Sequence, residues 1–164
     1  MADEAMPAAP SMRRATPDDG PAVREFVFAT LRSYGIEPDP EGLDADVMAF
    51  GSAADPRVLE LVVEADGAAV GSVAIAPHER EGPETGHLSK FFMDARYRGK
   101  GLGRPLLQRA VAEARALGYR RLVLETRTAF AEACHLYEST GWRRGPDLPP
   151  GYGPDRSYTL ELAP

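Results

Sequence analysis

Apolar residues recur along the chain with two periods, and the switches between them mark the elements. Val23, Phe26, Val27, Leu31 and Tyr34 stand at helical spacing, so one face of a helix there is buried. Upstream, Thr16, Pro17 and Asp19 form a helix start, with a capping hydroxyl, a first-turn proline and an acid at the positive end. Pro21 is the alternative first residue, and Gly35 and Pro38 end the helix. A short strand is expected before it, at residues 12–15, and a weaker helical stretch after it, at residues 43–50. Residues 58–64 and 68–76 read as two strands joined by a turn at Asp66-Gly67. A third strand covers about residues 86–94.

Helical spacing returns at Leu102, Leu106, Leu107, Ala110, Val111, Ala114 and Leu117, with Gly118 closing the helix. Residues 121–126 form another strand. Phe130, Ala133, Cys134 and Tyr137 then stand at i, i+3, i+4 and i+7 of a further helix, ended by Gly141. A Pro/Gly-rich loop at residues 145–155 precedes a last strand at 157–162. Strands alternating with helices in the second half predict an α/β domain with a mixed sheet.

Composition narrows the class. Residues 1–10, rich in Ala and Pro, are expected to be a disordered tail, which leaves residues 11–164 as one domain. The chain is 43% hydrophobic and 27% charged, an ordinary globular balance. A formal net charge of -6 argues against a nucleic-acid surface and is compatible with a cationic substrate, although acidity also serves solubility alone. Cys134 is the only cysteine, which excludes an internal disulfide and a thiolate zinc cluster. No apolar run approaches the ~20 residues that cross a bilayer. The N-terminal MADEAMPAAP lacks the apolar segment of a secretion signal, so a cytoplasmic protein with no membrane partner is expected.

The informative chemistry lies where a strand runs through Arg98-Gly99-Lys100-Gly101-Leu102-Gly103 directly into a helix. Glycines let a backbone approach a ligand, and the first-turn amides of a helix have no internal partner. Together with the helix dipole they form an anion site suited to a pyrophosphate. Pro105 is tolerated there because a first-turn N–H would have no helical partner. A P-loop needs Lys-Ser or Lys-Thr at the end of the loop, and neither is present. A dinucleotide fingerprint needs a third glycine after Gly101-Leu102-Gly103, where Pro105 and Leu106 stand instead. The remaining pattern, R-x-x-G-x-G at Arg98, Gly101 and Gly103, is by itself also compatible with a structural turn.

The segment from Lys90 to Gly103, KFFMDARYRGKGLG, resembles the coenzyme-A signature of GNAT acetyltransferases. About forty residues on, Ala133, Leu136, Tyr137, Glu138, Gly141 and Trp142 resemble the family's second signature, A-x-x-L-Y-E-x-x-G-F. The order and spacing of the two, with a strand between them, make the resemblance specific over residues 86–143. It implies an α/β (α+β) GNAT fold: a central, mixed but mostly antiparallel sheet of six to seven strands, flanked by about four helices. It implies an N-acetyltransferase that uses acetyl-CoA as co-substrate, without a metal, to acetylate a small-molecule amine or a protein amino group. A homodimer is compatible with it, and a non-catalytic acyl-CoA-binding sensor is the alternative.

Carried onto this chain, the resemblance places the pyrophosphate on the backbone of Arg98, Gly99, Lys100, Gly101, Leu102, Gly103 and Arg104. The pantetheine arm would pair with the strand at Phe91, Phe92 and Met93. Tyr137 stands where the family acid protonates the departing thiolate, with core packing as the plain alternative. His87 stands where many relatives carry a glutamate base, six residues before Met93, and is expected to share a face with Ser89, Phe91 and Met93. It is equally readable as a strand-edge residue. His78, Glu79 and Glu125 are weaker candidates, and His135 is expected to face solvent. Phe130 replaces an asparagine that often contacts the cofactor in relatives, and Ala95 replaces a turn proline. Tyr34, Tyr152 and Asp155 are candidates for lining an acceptor pocket.

Overall fold

The computed structural model describes residues 9–151 and 153–162. The first eight positions of the expected tail, and Tyr152, therefore lie outside the described residues. Among the described residues seven strands form one sheet: β1 (Ser11–Arg14), β2 (Leu59–Ala65), β3 (Ala68–His78), β4 (Gly82–Met93), β5 (Arg121–Thr126), β6 (Arg143–Arg144) and β7 (Arg156–Glu161). Their order across the sheet is β1-β2-β3-β4-β5-β7-β6. Every pairing is antiparallel except that of β4 with β5. Among the described residues three α-helices flank the sheet: α1 (Gly20–Ser33), α2 (Gly103–Ala116) and α3 (Ala131–Ser139). The helix expected at residues 43–50 is instead a 3-10 segment, Ala45–Ala49, because only Val47 of that segment is buried and no apolar stripe sustains an α-helix.

Alternation along the strands divides the core between two layers. Leu61, Val63, Val73, Ile75, Leu122 and Leu124 point to the side where Leu106, Leu107 and Ala110 of α2 pack. Val62 and Ala74 point to the other, against Val23, Phe26 and Val27 of α1. The start of α1 is fastened to the sheet edge. A 3-10 turn at Pro17–Asp19 precedes it, the Thr16 amide donates to Asp19 Oδ2 at 2.7 Å, and Arg13 of β1 donates to both Asp19 oxygens at 2.8 and 2.9 Å. That guanidinium holds the buried carboxyl below the usual carboxylate range, outweighing its burial.

One irregularity overturns the expected alternation of β4. Ser72 pairs with Phe92 but Ala74 pairs with Ser89, so β4 carries one extra residue. Lys90 sits in this bulge with φ +56°, a left-handed conformation costly for a side-chain-bearing residue. Ser72 Oγ donates to the Lys90 carbonyl at 2.7 Å, and the Lys90 ammonium lies 2.7 Å from Asp46. The phase changes across it. Leu88, Phe91 and Met93 pack on the α2 side, whereas Phe92 packs on the α1 side. His87 therefore shares a face with Ser89 and Phe92, not with Phe91 and Met93. The strand also begins earlier than its apolar pattern, at Gly82, because backbone pairing with β3 needs no apolar side chains.

Candidate active site

β4 and β5 run parallel for only three pairs, Thr85 with Arg121, Gly86 with Leu122 and His87 with Val123, and then part. Beyond this fork β4 continues to Met93 and ends at a short 3-10 turn, Ala95–Tyr97. Asp94 caps that turn by accepting from the Arg96 amide at 3.0 Å. The chain then turns through Gly99 and Gly101, at φ +73° and +74°, values that L side chains rarely adopt. α2 follows with Leu102 in the N-cap position and no side-chain cap. Among the described residues, the amides of residues 99–104 donate no hydrogen bond to backbone or side chain. The nearest paired ones are Arg98 N to Ala95 O and Leu106 N to Leu102 O. A row of unpartnered N–H groups at a helix N-terminus can hold an anion.

These amides open on a cavity of about 350 Å³. Arg98, Gly99, Gly101, Leu102, Gly103 and Arg104 form one side of it, and Phe91, Phe92 and Met93 of β4 form the floor. Lys100 alone of the expected loop residues stands outside the lining, with its ammonium 5.0 Å from the Tyr97 ring centre. Arg98 contributes backbone rather than a free cation. Its guanidinium is spent on the Met93 carbonyl at 3.1 Å and Thr30 Oγ1 at 2.6 Å, which braces the end of β4 against α1.

Tyr34 lines this cavity beside the loop, joined by Phe130, Ala133, His135 and Leu136. Phe130 corrects the reading of the last helix. It is the N-cap residue of α3, at φ −81° and ψ +63°, and so lies outside the helical stripe. Its ring meets Tyr34 edge-on at 4.8 Å and Phe92 at 6.2 Å, closing the cavity between α1 and β4. His135 is exposed as expected, yet it stands at the cavity mouth. Helical periodicity finds the buried face of α3, and no sequence signal marks which exposed turn overlooks a cavity made by distant elements. Asp155 does not line the cavity; its carboxylate accepts from the Thr128 amide at 2.7 Å and holds the late loop to the β5–α3 turn.

The two expected proton-transfer residues stand apart from the lining. Tyr137 is 3% exposed and lies one layer beneath, its ring 5.9 Å from Phe91, 5.7 Å from Trp142 and 5.4 Å from Tyr158. Burial pushes its phenol well above the usual tyrosine range, and no hydrogen bond contributes to that shift. His87 sits at the closed end of the fork, its Nε2 2.6 Å from Oε2 of Glu125 on β5. The His87 contact, opposed by burial, holds the Glu125 carboxyl below the usual range. His78 meets His87 edge-on at 5.7 Å, while Glu79 enters none of these contacts. Among the described residues no group of three or more His, Cys, Asp or Glu side chains is placed to hold a metal ion.

Comparison with known proteins agrees with this geometry. The model of the Acetyltransferase (GNAT) family matches residues 23–142. YjgM of Escherichia coli (strain K12), an uncharacterized N-acetyltransferase, is 33% identical over 148 residues, covering 83% of this chain and 83% of that protein. A GCN5-related N-acetyltransferase from Kribbella flavida superposes with a TM-score of 0.78 at 26% identity, over 94% of this chain and 98% of that one. The fold is also that of yncA from Salmonella typhimurium, solved with its cofactor acetyl-CoA, at a TM-score of 0.76 and 22% identity over 94% of each chain. With an amide-lined loop, a parting pair of strands and a family match across most of its length, this chain belongs to the GNAT family of acetyltransferases.

Proposed function

We propose that this enzyme transfers the acetyl group of acetyl-CoA to a primary amine, carried either by a small molecule or by a protein. The observation that supports this best is the run of unpartnered amides from Gly99 to Arg104 opening on a cavity floored by β4. Those amides and the dipole of α2 suit a pyrophosphate without a metal ion. Phe91, Phe92 and Met93 lie on the strand from which β5 has parted, so among the described residues β4 beyond His87 has no paired strand on that side and can take an extended arm. When bound, acetyl-CoA supplies a thioester carbonyl to an attacking amine.

The remaining work falls to side chains. His87 accepts the proton that an ammonium must lose before its nitrogen has a lone pair. Tyr137 supplies a proton on the other side of the reaction. A tyrosine hydroxyl is protonated at neutral pH even at its ordinary pKa, and among the described residues this one makes no hydrogen bond.

Isothermal titration with acetyl-CoA, followed by thiol release with a panel of primary amines, tests the reading. Saturable binding and amine-dependent release are expected. Binding without release to any amine would favour an acyl-CoA sensor, and no binding would refute the cofactor site.

A further inference from the structure

We propose that Glu125 is the positioning residue of this site, holding His87 in the tautomer that carries its proton on Nε2 and keeps Nδ1 as the proton acceptor. The use of that acceptor rests on the acetyl-transfer reading above; the tautomer itself does not.

The fork makes the pair. His87 is the last residue of β4 in register with β5, opposite Val123. Alternation in β5 is unbroken: Leu122 and Leu124 enter the α2-side core, so Val123 and Glu125 face the other way, as His87 does. Glu125 thereby reaches past the end of the ladder to the imidazole, at 2.6 Å. An ionised carboxylate only accepts hydrogen bonds, so the proton in this contact belongs to Nε2. Among the described residues His87 Nδ1 has no hydrogen-bond partner. His78, edge-on to His87, is fixed independently: its Nδ1 accepts from the Arg80 and Glu81 amides at 3.1 Å each, so its own proton also sits on Nε2.

A purely structural clamp is the competing account. Both side chains are 38% exposed, and an ion pair so open to water adds little to stability. Positioning asks less energy of the contact and more geometry. In the step, Nδ1 takes one proton from the ammonium form of the acceptor, leaving a neutral amine and an imidazolium. The new positive charge is matched by the Glu125 carboxylate already bonded to Nε2–H, and the proton later leaves to water.

The chain has three histidines, so long-range proton–nitrogen spectra of protein labelled with 15N-histidine can be assigned with His78→Gln and His135→Gln variants. In the wild type, His87 is expected as the pure Nε2–H tautomer. In Glu125→Ala it becomes a mixture, and Glu125→Gln, whose carbonyl still accepts, retains the wild-type form. With whichever panel amine the wild type acetylates best, Glu125→Ala should lower kcat roughly tenfold to a hundredfold, with the KM for acetyl-CoA unchanged and partial rescue by Glu125→Asp. An Nδ1–H tautomer in the wild type, or a His87 spectrum unaltered in Glu125→Ala, would overturn the proposal. So would an altered tautomer with undiminished kcat, which would reduce Glu125 to a structural partner. If the wild type acetylates none of the amines, the acetyl-transfer reading fails and the catalytic use of Glu125 fails with it, while the spectrum still decides the tautomer.

Discussion

Replacing Gly103 with glutamate tests whether the amides of the loop hold an anion. A Cβ added at Gly103 would stand 3.5 Å from Leu136 Cδ2 and 3.6 Å from Phe91 Cζ, ordinary contact distances, so the backbone tolerates a side chain. Gly103 is the first residue of α2, where a carboxylate favours the helix by about 0.3–1 kcal/mol. The variant should therefore fold at least as well as the wild type. Binding should suffer instead, because the new charge enters the space that the amides offer to a pyrophosphate. At about 5 Å and an effective dielectric of ~20, each pair of like unit charges costs about 3 kcal/mol, roughly a hundredfold in affinity.

Gly103→Gln brings the same bulk without the charge and isolates the two effects. Titration calorimetry with acetyl-CoA should show glutamate weaker than glutamine by about two orders of magnitude, with the gap narrowing at high salt. Equal affinities for the two variants would refute the electrostatic argument. Affinities equal to the wild type in both would refute the placement of the anion altogether.

Other outcomes follow from the same structure. Tyr137→Phe should lower kcat more than it raises the KM for acetyl-CoA, and should change the urea midpoint little, since among the described residues the hydroxyl has no hydrogen bond to lose; a KM effect alone would make Tyr137 a packing residue. Leu106→Ala should cost about 2–5 kcal/mol in urea unfolding, because this side chain is fully buried between α2 and the sheet. Ser72→Ala should cost about 1 kcal/mol through the lost bond to the Lys90 carbonyl, and a wild-type stability would show that the bulge needs no such support. Asp19 has a depressed pKa in the folded chain, so its contribution to stability is complete above the unfolded value of about 3.9 and is lost as pH falls through the lower folded value. The stability difference between the wild type and Asp19→Asn should accordingly shrink as the solution is acidified, and a difference that stayed constant would contradict the ion pair with Arg13.

Much of the frame was legible because it depends on near neighbours. The stripe Leu106, Leu107, Ala110 and Ala114 marks one buried face of α2, and those four residues are buried. The loop from Arg98 to Gly103 was legible for the same reason: positive φ at Gly99 and Gly101 is a property of the residues themselves. The two-residue β6 left no pattern, being too short to alternate. The stretch at 43–50 carried helical spacing without enough buried side chains to hold an α-helix.

The site divides along the same line. Local chemistry in the sequence determined the glycine turn and a helix start with unpartnered amides, and the family resemblance made His87 and Tyr137 candidates. Only the tertiary structure decided which face His87 occupies, because the bulge at Lys90 is held by Ser72 on a neighbouring strand and by Asp46 on a distant turn. Tertiary structure also paired His87 with Glu125, 38 positions away, and set Phe130 against Tyr34 and Phe92. Residue types and spacings encode what a segment can do alone. Contacts between segments far apart in sequence depend on register, strand order and the ends of pairing, which are fixed only when the whole sheet closes its core.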